Sequence, residues 1–157
     1  MINCTLIHLN EQKYMGISTQ IFFRDHDVVD FKQLQQDVAR ADILNVDPTE
    51  HFMALDSDFQ PESFRYAPLV PVTAFSDGDF FRYTREAGEY YCFPVQLKEL
   101  NPKWFQACFS FMEQQNMQVD RSFDLEYYPE GYLEQMRSGA VDFPAQTIEM
   151  LFRKLPM

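Results

Sequence analysis

Apolar and polar residues alternate along most of this chain, and the alternation gives way twice to helical spacing. Residues 2–9 read as a short strand with Cys4, Leu6 and His8 on one side. Residues 13–23 read as a second strand. Met15, Ile17, Thr19, Ile21 and Phe23 share one face, and Tyr14, Gly16, Ser18, Gln20 and Phe22 the other. From about residue 29 to 43 the period changes. Phe31, Leu34, Val38 and Ala41 recur at helical spacing, and Asp30 stands where it can cap the first turn. Residues 51–57 and 63–75 predict a hairpin joined by a polar loop. Pro68 and Pro71 in its second arm point to an edge strand, a bulge or a bend.

The second half repeats this order. Ser76-Asp77-Gly78-Asp79 predicts a turn and a module boundary. Residues 80–85 predict a short strand paired with residues 88–97 through Glu86-Ala87-Gly88. Asn101-Pro102 then opens a helix to about residue 115, with Asn at the cap and Pro in the first turn. Trp104, Phe105, Cys108, Phe109, Phe111 and Met112 give that helix a wide apolar face, read as deeply buried core packing. Residues 122–128 alternate again. Phe123, Leu125 and Tyr127 face one way, and Asp124, Glu126 and Tyr128 the other. Residues 129–142 read as a loop with one helical turn, and residues 146–155 as a last strand.

After the first strand, the order strand–helix–strand–strand therefore occurs twice. Gly16 and Gly88 are 72 positions apart (88 − 16), as are Asp30 and Pro102 (102 − 30), although the residues do not repeat. The expected fold is α+β: two such modules, about 1–76 and 77–157, related by a pseudo-twofold within one domain. A curved antiparallel sheet would carry two helices on one face and leave the other face free to curve.

Composition narrows the function. Of 157 residues, 16 are Phe and 8 are Tyr, which favours strands and an apolar pocket. A formal net charge of −11 leaves no basic footprint for direct nucleic-acid binding or for an anionic membrane surface. The three cysteines, Cys4, Cys92 and Cys108, are far apart and form no disulfide framework, which fits a reducing cytoplasm. Neither a signal peptide nor a membrane-length apolar run is read. Asp25-His26-Asp27 has metal-ligand residue types, but adjacent residues converge poorly on one ion, so no metal or cofactor is expected. No glycine-rich phosphate loop is present either. That leaves Glu126, a single acid among aromatic residues, as the candidate trap for a cationic or electrophilic small molecule.

The run Ala87-Gly88-Glu89-Tyr90-Tyr91-Cys92-Phe93 resembles the small-Gly-x-Tyr strand of the GyrI-like small-molecule-binding domain, also called the AraC-type effector-binding domain. The helix around Trp104, followed by Met117-Gln118-Val119-Asp120 and a strand carrying Glu126-x-Tyr128, is similar to the same family. So are Phe64-x-Tyr66 and Tyr14-x-Gly16-Ile17. The resemblance implies a ligand cleft between the modules with Glu126 at its floor and Tyr128, Tyr66, Tyr90 and Phe64 around it, Tyr90 being chosen by family analogy alone. Many members follow a helix-turn-helix domain. Here both predicted helices are flanked by strands, so a stand-alone form is expected. Two other activities within the family bear on this chain. In members that hydrolyse cyclopropane-containing toxins a cleft Glu acts as base. Glu126 would then activate water and Tyr128 or Tyr90 would hold the leaving oxygen. Gyrase-inhibiting members imply a protein partner, such as gyrase or a transcription regulator.

Overall fold

A computed structural model describes residues 2–156. Its strands are β1 (Thr5–Leu9), β2 (Gln12–Gly16), β3 (Thr19–Phe22), β4 (Met53–Ser57), β5 (Ser63–Val72), β6 (Phe81–Arg85), β7 (Gly88–Gln96), β8 (Phe123–Tyr127) and β9 (Thr147–Arg153). Its α-helices are α1 (Phe31–Ala39), α2 (Pro102–Gln114) and α3 (Tyr132–Ser138), and 3-10 turns lie at Phe23–Val28 and Leu97–Glu99. All strands join one antiparallel sheet in the order β1-β7-β9-β8-β4-β5-β2-β6, with β3 also paired to β5. The α+β class, the curved sheet and the repeated strand–helix–strand–strand order are those expected.

Both helix starts follow the capping signals. Asp30 accepts a hydrogen bond from the Gln33 backbone N–H at 3.0 Å, and Asn101 accepts one from Trp104 at 2.9 Å. Each satisfies a donor that the first helical turn leaves open. Asn116, just past α2, adopts a left-handed φ of 55° and turns the chain away.

Several details differ from the sequence reading. Residues 13–23 form two strands, because the ladder to β5 breaks opposite Pro68, which has no N–H to give. The backbones also approach closely there: a Cβ on Gly16 would lie 2.0 Å from the Pro68 carbonyl oxygen. Nor is β5 an edge strand. It lies between β4 and β2, and both prolines are accommodated inside the sheet. Residues 80–85 and 88–97 do not form a hairpin. Instead β6 pairs with β2, and β7 pairs with β1 and β9. The two ends of the sheet order are thus exchanged. β1 completes the half that contains β7, β9 and β8, and β6 completes the half that contains β2, β5 and β4. The helical turn foreseen in the loop after β8 is the full α3, set off by Gly131 and Gly139 at positive φ.

The two faces of the sheet bury different cores. Val38 and Ala39 of α1, and Cys108 and Met112 of α2, pack on the face carrying Met15, Tyr66, Phe93, Tyr128 and Met150. The opposite face is not left free. It curls on its own side chains, burying Tyr14, Met53, Leu55, Leu69, Tyr90, Leu125 and Leu151. The two halves meet where β4 pairs with β8 and Leu55 stands opposite Leu125. A twofold through that pair exchanges Asp56 and Glu126.

Candidate functional site

The seam between the halves forms the floor of a cavity of about 740 Å³ on the helix-bearing face. Volume in this range suits a drug-sized ligand. Its walls are apolar and mostly aromatic. Phe23 and Phe31 come from the approach to α1 and its first turn, Phe59 and Phe64 from the β4–β5 hairpin, Phe105 and Phe109 from α2, and Phe143 and Phe152 from the β9 arm. Phe105 and Phe109 correct one expectation: only Cys108 and Met112 of α2 are fully buried, and part of its aromatic stripe lines the cavity.

Three acids form the polar floor. Asp56 on β4 pairs across the strand with Asp124 on β8, and Glu126 lies two residues further along, opposite Ala54. Their exposures are only 7%, 6% and 8% respectively. Asp56 thus neighbours both other acids, directly across the ladder from Asp124 and diagonally from Glu126. Burial raises all three carboxyls above the ordinary carboxylate range, because charge loses its hydration there. Asp124 is pushed up to about 7. Asp56 is raised further by the like charges of Glu126 and Asp124.

A network behind the floor holds Glu126 in place. The Tyr128 hydroxyl donates to Glu126 Oε1 at 2.7 Å. Gln35 Nε2 donates to the hydroxyls of Tyr128 and Tyr66, both at 2.8 Å, and Gln35 Oε1 accepts from the Tyr132 hydroxyl at 2.5 Å. Each Gln35 amide atom is therefore engaged, and its completely buried side chain has one workable orientation. Burial raises the Tyr66 and Tyr128 hydroxyls well above the ordinary phenol range, so both stay neutral, Tyr66 accepting from Gln35 and Tyr128 donating to Glu126.

Of the five residues singled out from sequence, three line the cavity: Glu126, Tyr66 and Phe64. Tyr128 stands behind Glu126 as its hydrogen-bond donor and is almost wholly buried. Tyr90 does not join them. It lies on the opposite face, where its hydroxyl donates to the Glu86 carbonyl at 2.7 Å. Strand parity pairs Tyr90 with Cys92 and leaves the choice of face open, and that choice falls the other way.

The sequence reading passed over Asp56 and Gln35. A correct repeat offset would have found Asp56, but that offset comes from the register of the folded sheet. The offset set by the Leu55–Leu125 pair is 70 (125 − 55), and it carries Glu126 onto Asp56. The offset of 72 between helix starts carries it onto Ala54 instead. Gln35 had no such signal, since a glutamine inside an amphipathic helix usually faces water.

The basic residues that line the cavity, Arg121 and His26, are solvent-exposed. Arg121 is half-exposed, bonded to Glu113 at 3.1 Å and stacked over Phe109. His26 packs against Phe31, with Asp27 next to it on the same turn. Among the described residues no group of His, Cys, Asp or Glu is arranged to hold a metal ion. Burial pushes the Cys92 and Cys108 thiols up to about 12, as expected of core cysteines. No helix among the described residues is long and apolar enough to cross a membrane.

No protein-family model matches the sequence, and no curated protein matches it. Solved structures do match in fold. SAV2435 bound to tetraphenylphosphonium aligns with a TM-score of 0.64 at 14% identity, covering 98% of this chain and 94% of that one. The C-terminal domain of EcmrR aligns with a TM-score of 0.65 at 11% identity, covering 100% of this chain and 99% of that domain. A hydrolase encoded by lin2189 from Listeria innocua aligns with a TM-score of 0.55 at 7% identity, covering 97% of this chain and 91% of that one. The chain thus has the fold that SAV2435 and the EcmrR C-terminal domain share, the fold expected from the GyrI-like resemblance.

Proposed function

We propose that this protein captures apolar organic cations in the aromatic cavity, using the carboxyls of Glu126, Asp56 and Asp124 as its counter-charge. One observation carries the reading: three acids are buried at the floor of a large aromatic cavity, and the basic residues that line it, Arg121 and His26, are solvent-exposed. Leaving such charge uncompensated is costly, and a ligand cation would relieve that cost. Aromatic walls add attraction through their ring quadrupoles while excluding water. The tetraphenylphosphonium bound to SAV2435 lends support from a protein of the same fold. In this reading Glu126, Tyr66 and Phe64 contact the ligand, and Tyr128 and Gln35 position Glu126.

Calorimetric titration with tetraphenylphosphonium, with neutral triphenylphosphine oxide as control, tests this directly. The cation is expected to bind and the oxide to bind far more weakly. Glu126→Gln is expected to weaken the cation alone, by about tenfold to a hundredfold. Equal binding of cation and oxide would sink the proposal.

A second reading, hydrolysis of an electrophilic ligand, rests on the same Glu126. Burial raises the Glu126 carboxyl above its ordinary value, which favours proton transfer, and the Listeria hydrolase shares the fold. Mass spectrometry of a cyclopropane-containing electrophile incubated with the protein separates the readings. Product formation that Glu126→Gln abolishes favours the hydrolase, and intact compound favours capture.

A further inference from the structure

The three floor acids are close enough to share protons. Asp56 is the middle member of the row: it stands directly opposite Asp124 on the β4–β8 ladder and diagonal to Glu126, and all three side chains are buried. Two carboxyls at that separation repel when both are ionised and bond when one carries a proton. The donors supplied by the protein are few. Glu126 has the Tyr128 hydroxyl, and Asp124 Oδ1 has no partner at all.

No fixed cation makes up the difference. β5 contributes Tyr66, kept neutral by burial, and α1 contributes the uncharged Gln35. The facing residues of α2 and β9 are Phe105, Phe109 and Phe152, none of which titrates. The 3-10 turn before α1 brings the exposed His26, whose charge favours the ionised form of Glu126, with the acid Asp27 beside it. Arg121 is already bonded to Glu113.

From this arrangement we infer that the cavity is a cation–proton exchanger: an entering organic cation expels the proton that Asp56 shares with its neighbours. The inference rests on the cation-capture reading and adds its regulation. The exchange balances. One positive charge enters, one proton leaves to solvent, no bond in the ligand changes, and the net charge within the cavity stays constant. Acid therefore competes with the ligand, and affinity rises with pH until the row is ionised.

Calorimetry with tetraphenylphosphonium chloride near neutral pH, in phosphate and in Tris, reads the proton directly because the two buffers differ in ionisation enthalpy. The expected result is release of about one proton per cation bound, with affinity rising by up to about tenfold per pH unit on the acid side of neutrality. In an Asp56→Asn, Asp124→Asn double variant the cation should still bind at Glu126, with proton release reduced by about half or more. Two results would overturn the exchange. The first is the same binding enthalpy in both buffers together with a flat pH dependence, which leaves cation capture standing. The second is no binding at any pH, which removes capture as well. The wild-type buffer comparison decides the matter even where the double variant does not fold.

Discussion

On the face of the sheet away from the helices, Arg85 is buried to 1% exposure and, its Nε apart, meets acceptors of its own protein. Its guanidinium donates to the Tyr14 hydroxyl and to the Asn10 carbonyl, each at 2.9 Å, and lies 3.5 Å from Glu50. Glu50 is held in turn by the Tyr127 hydroxyl at 2.5 Å. On the helix-bearing face three carboxyls are buried, and among the described residues no salt bridge reaches any of them. One sheet thus buries charge in two ways. Arg85 is compensated internally and closes a core, while the acid row is left for protons or a ligand to compensate and floors a cavity. Buried charge alone does not mark a site. Buried charge without a partner, facing open volume, is the more specific sign.

The largest effect should come from breaking the compensated side. Arg85→Ala leaves the Tyr14 hydroxyl and Glu50 without their cation, and is expected to destabilise the fold by about 3–5 kcal/mol. Urea denaturation measures this, and a loss below about 1 kcal/mol would contradict the contrast.

The acid row should respond with the opposite sign. Asp124 is raised from an ordinary 3.8 to about 7, so the folded state holds a proton that the unfolded chain gives up. That contribution is fully present below the ordinary carboxylate range and is lost as pH rises through about 7. Asp124→Asn removes the titration. At about pH 8 it should stabilise the fold by on the order of 1 kcal/mol, part of the linkage energy being offset by the imperfectly paired amide. Thermal melts of both proteins across the acid-to-alkaline range check it: the wild type should lose stability more steeply with rising pH. Parallel slopes would mean that Asp124 does not hold its proton.

The contrast between the faces was only partly legible in the sequence. Alternation located β8 and placed Asp124, Glu126 and Tyr128 on one face, and both helix caps could be read from Asp30 and Asn101, because these depend on local geometry. The acid row was harder. It is made by cross-strand register, and a two-position error in the repeat offset moves Glu126's counterpart from Asp56 to Ala54. The exchange of β1 and β6 between halves was hidden for a similar reason. Gly88 after Glu86-Ala87 looks like a hairpin turn, and nothing local says that β6 pairs with a strand some seventy residues earlier. Arg85 gave no warning, since an arginine ending a short strand is ordinarily exposed.

Tyr90 offers the smallest and most discriminating test. It belongs to the compensated face, where its hydroxyl bonds the Glu86 carbonyl and its ring packs with the core around Leu125 and Leu151. Tyr90→Phe keeps the ring and removes one hydrogen bond, so stability should fall by only about 1 kcal/mol. Binding of tetraphenylphosphonium should not change, because the sheet itself separates Tyr90 from the cavity. Tyr66→Phe makes the matched control across the sheet. Its hydroxyl accepts from Gln35, so its loss loosens the amide that also holds Tyr128 against Glu126. A modest loss of cation affinity, about threefold to tenfold, is expected there. If Tyr90→Phe weakened the cation as much as Tyr66→Phe, the two faces would not be independent, and the division of the sheet into a sealed core and an open site would have to be abandoned.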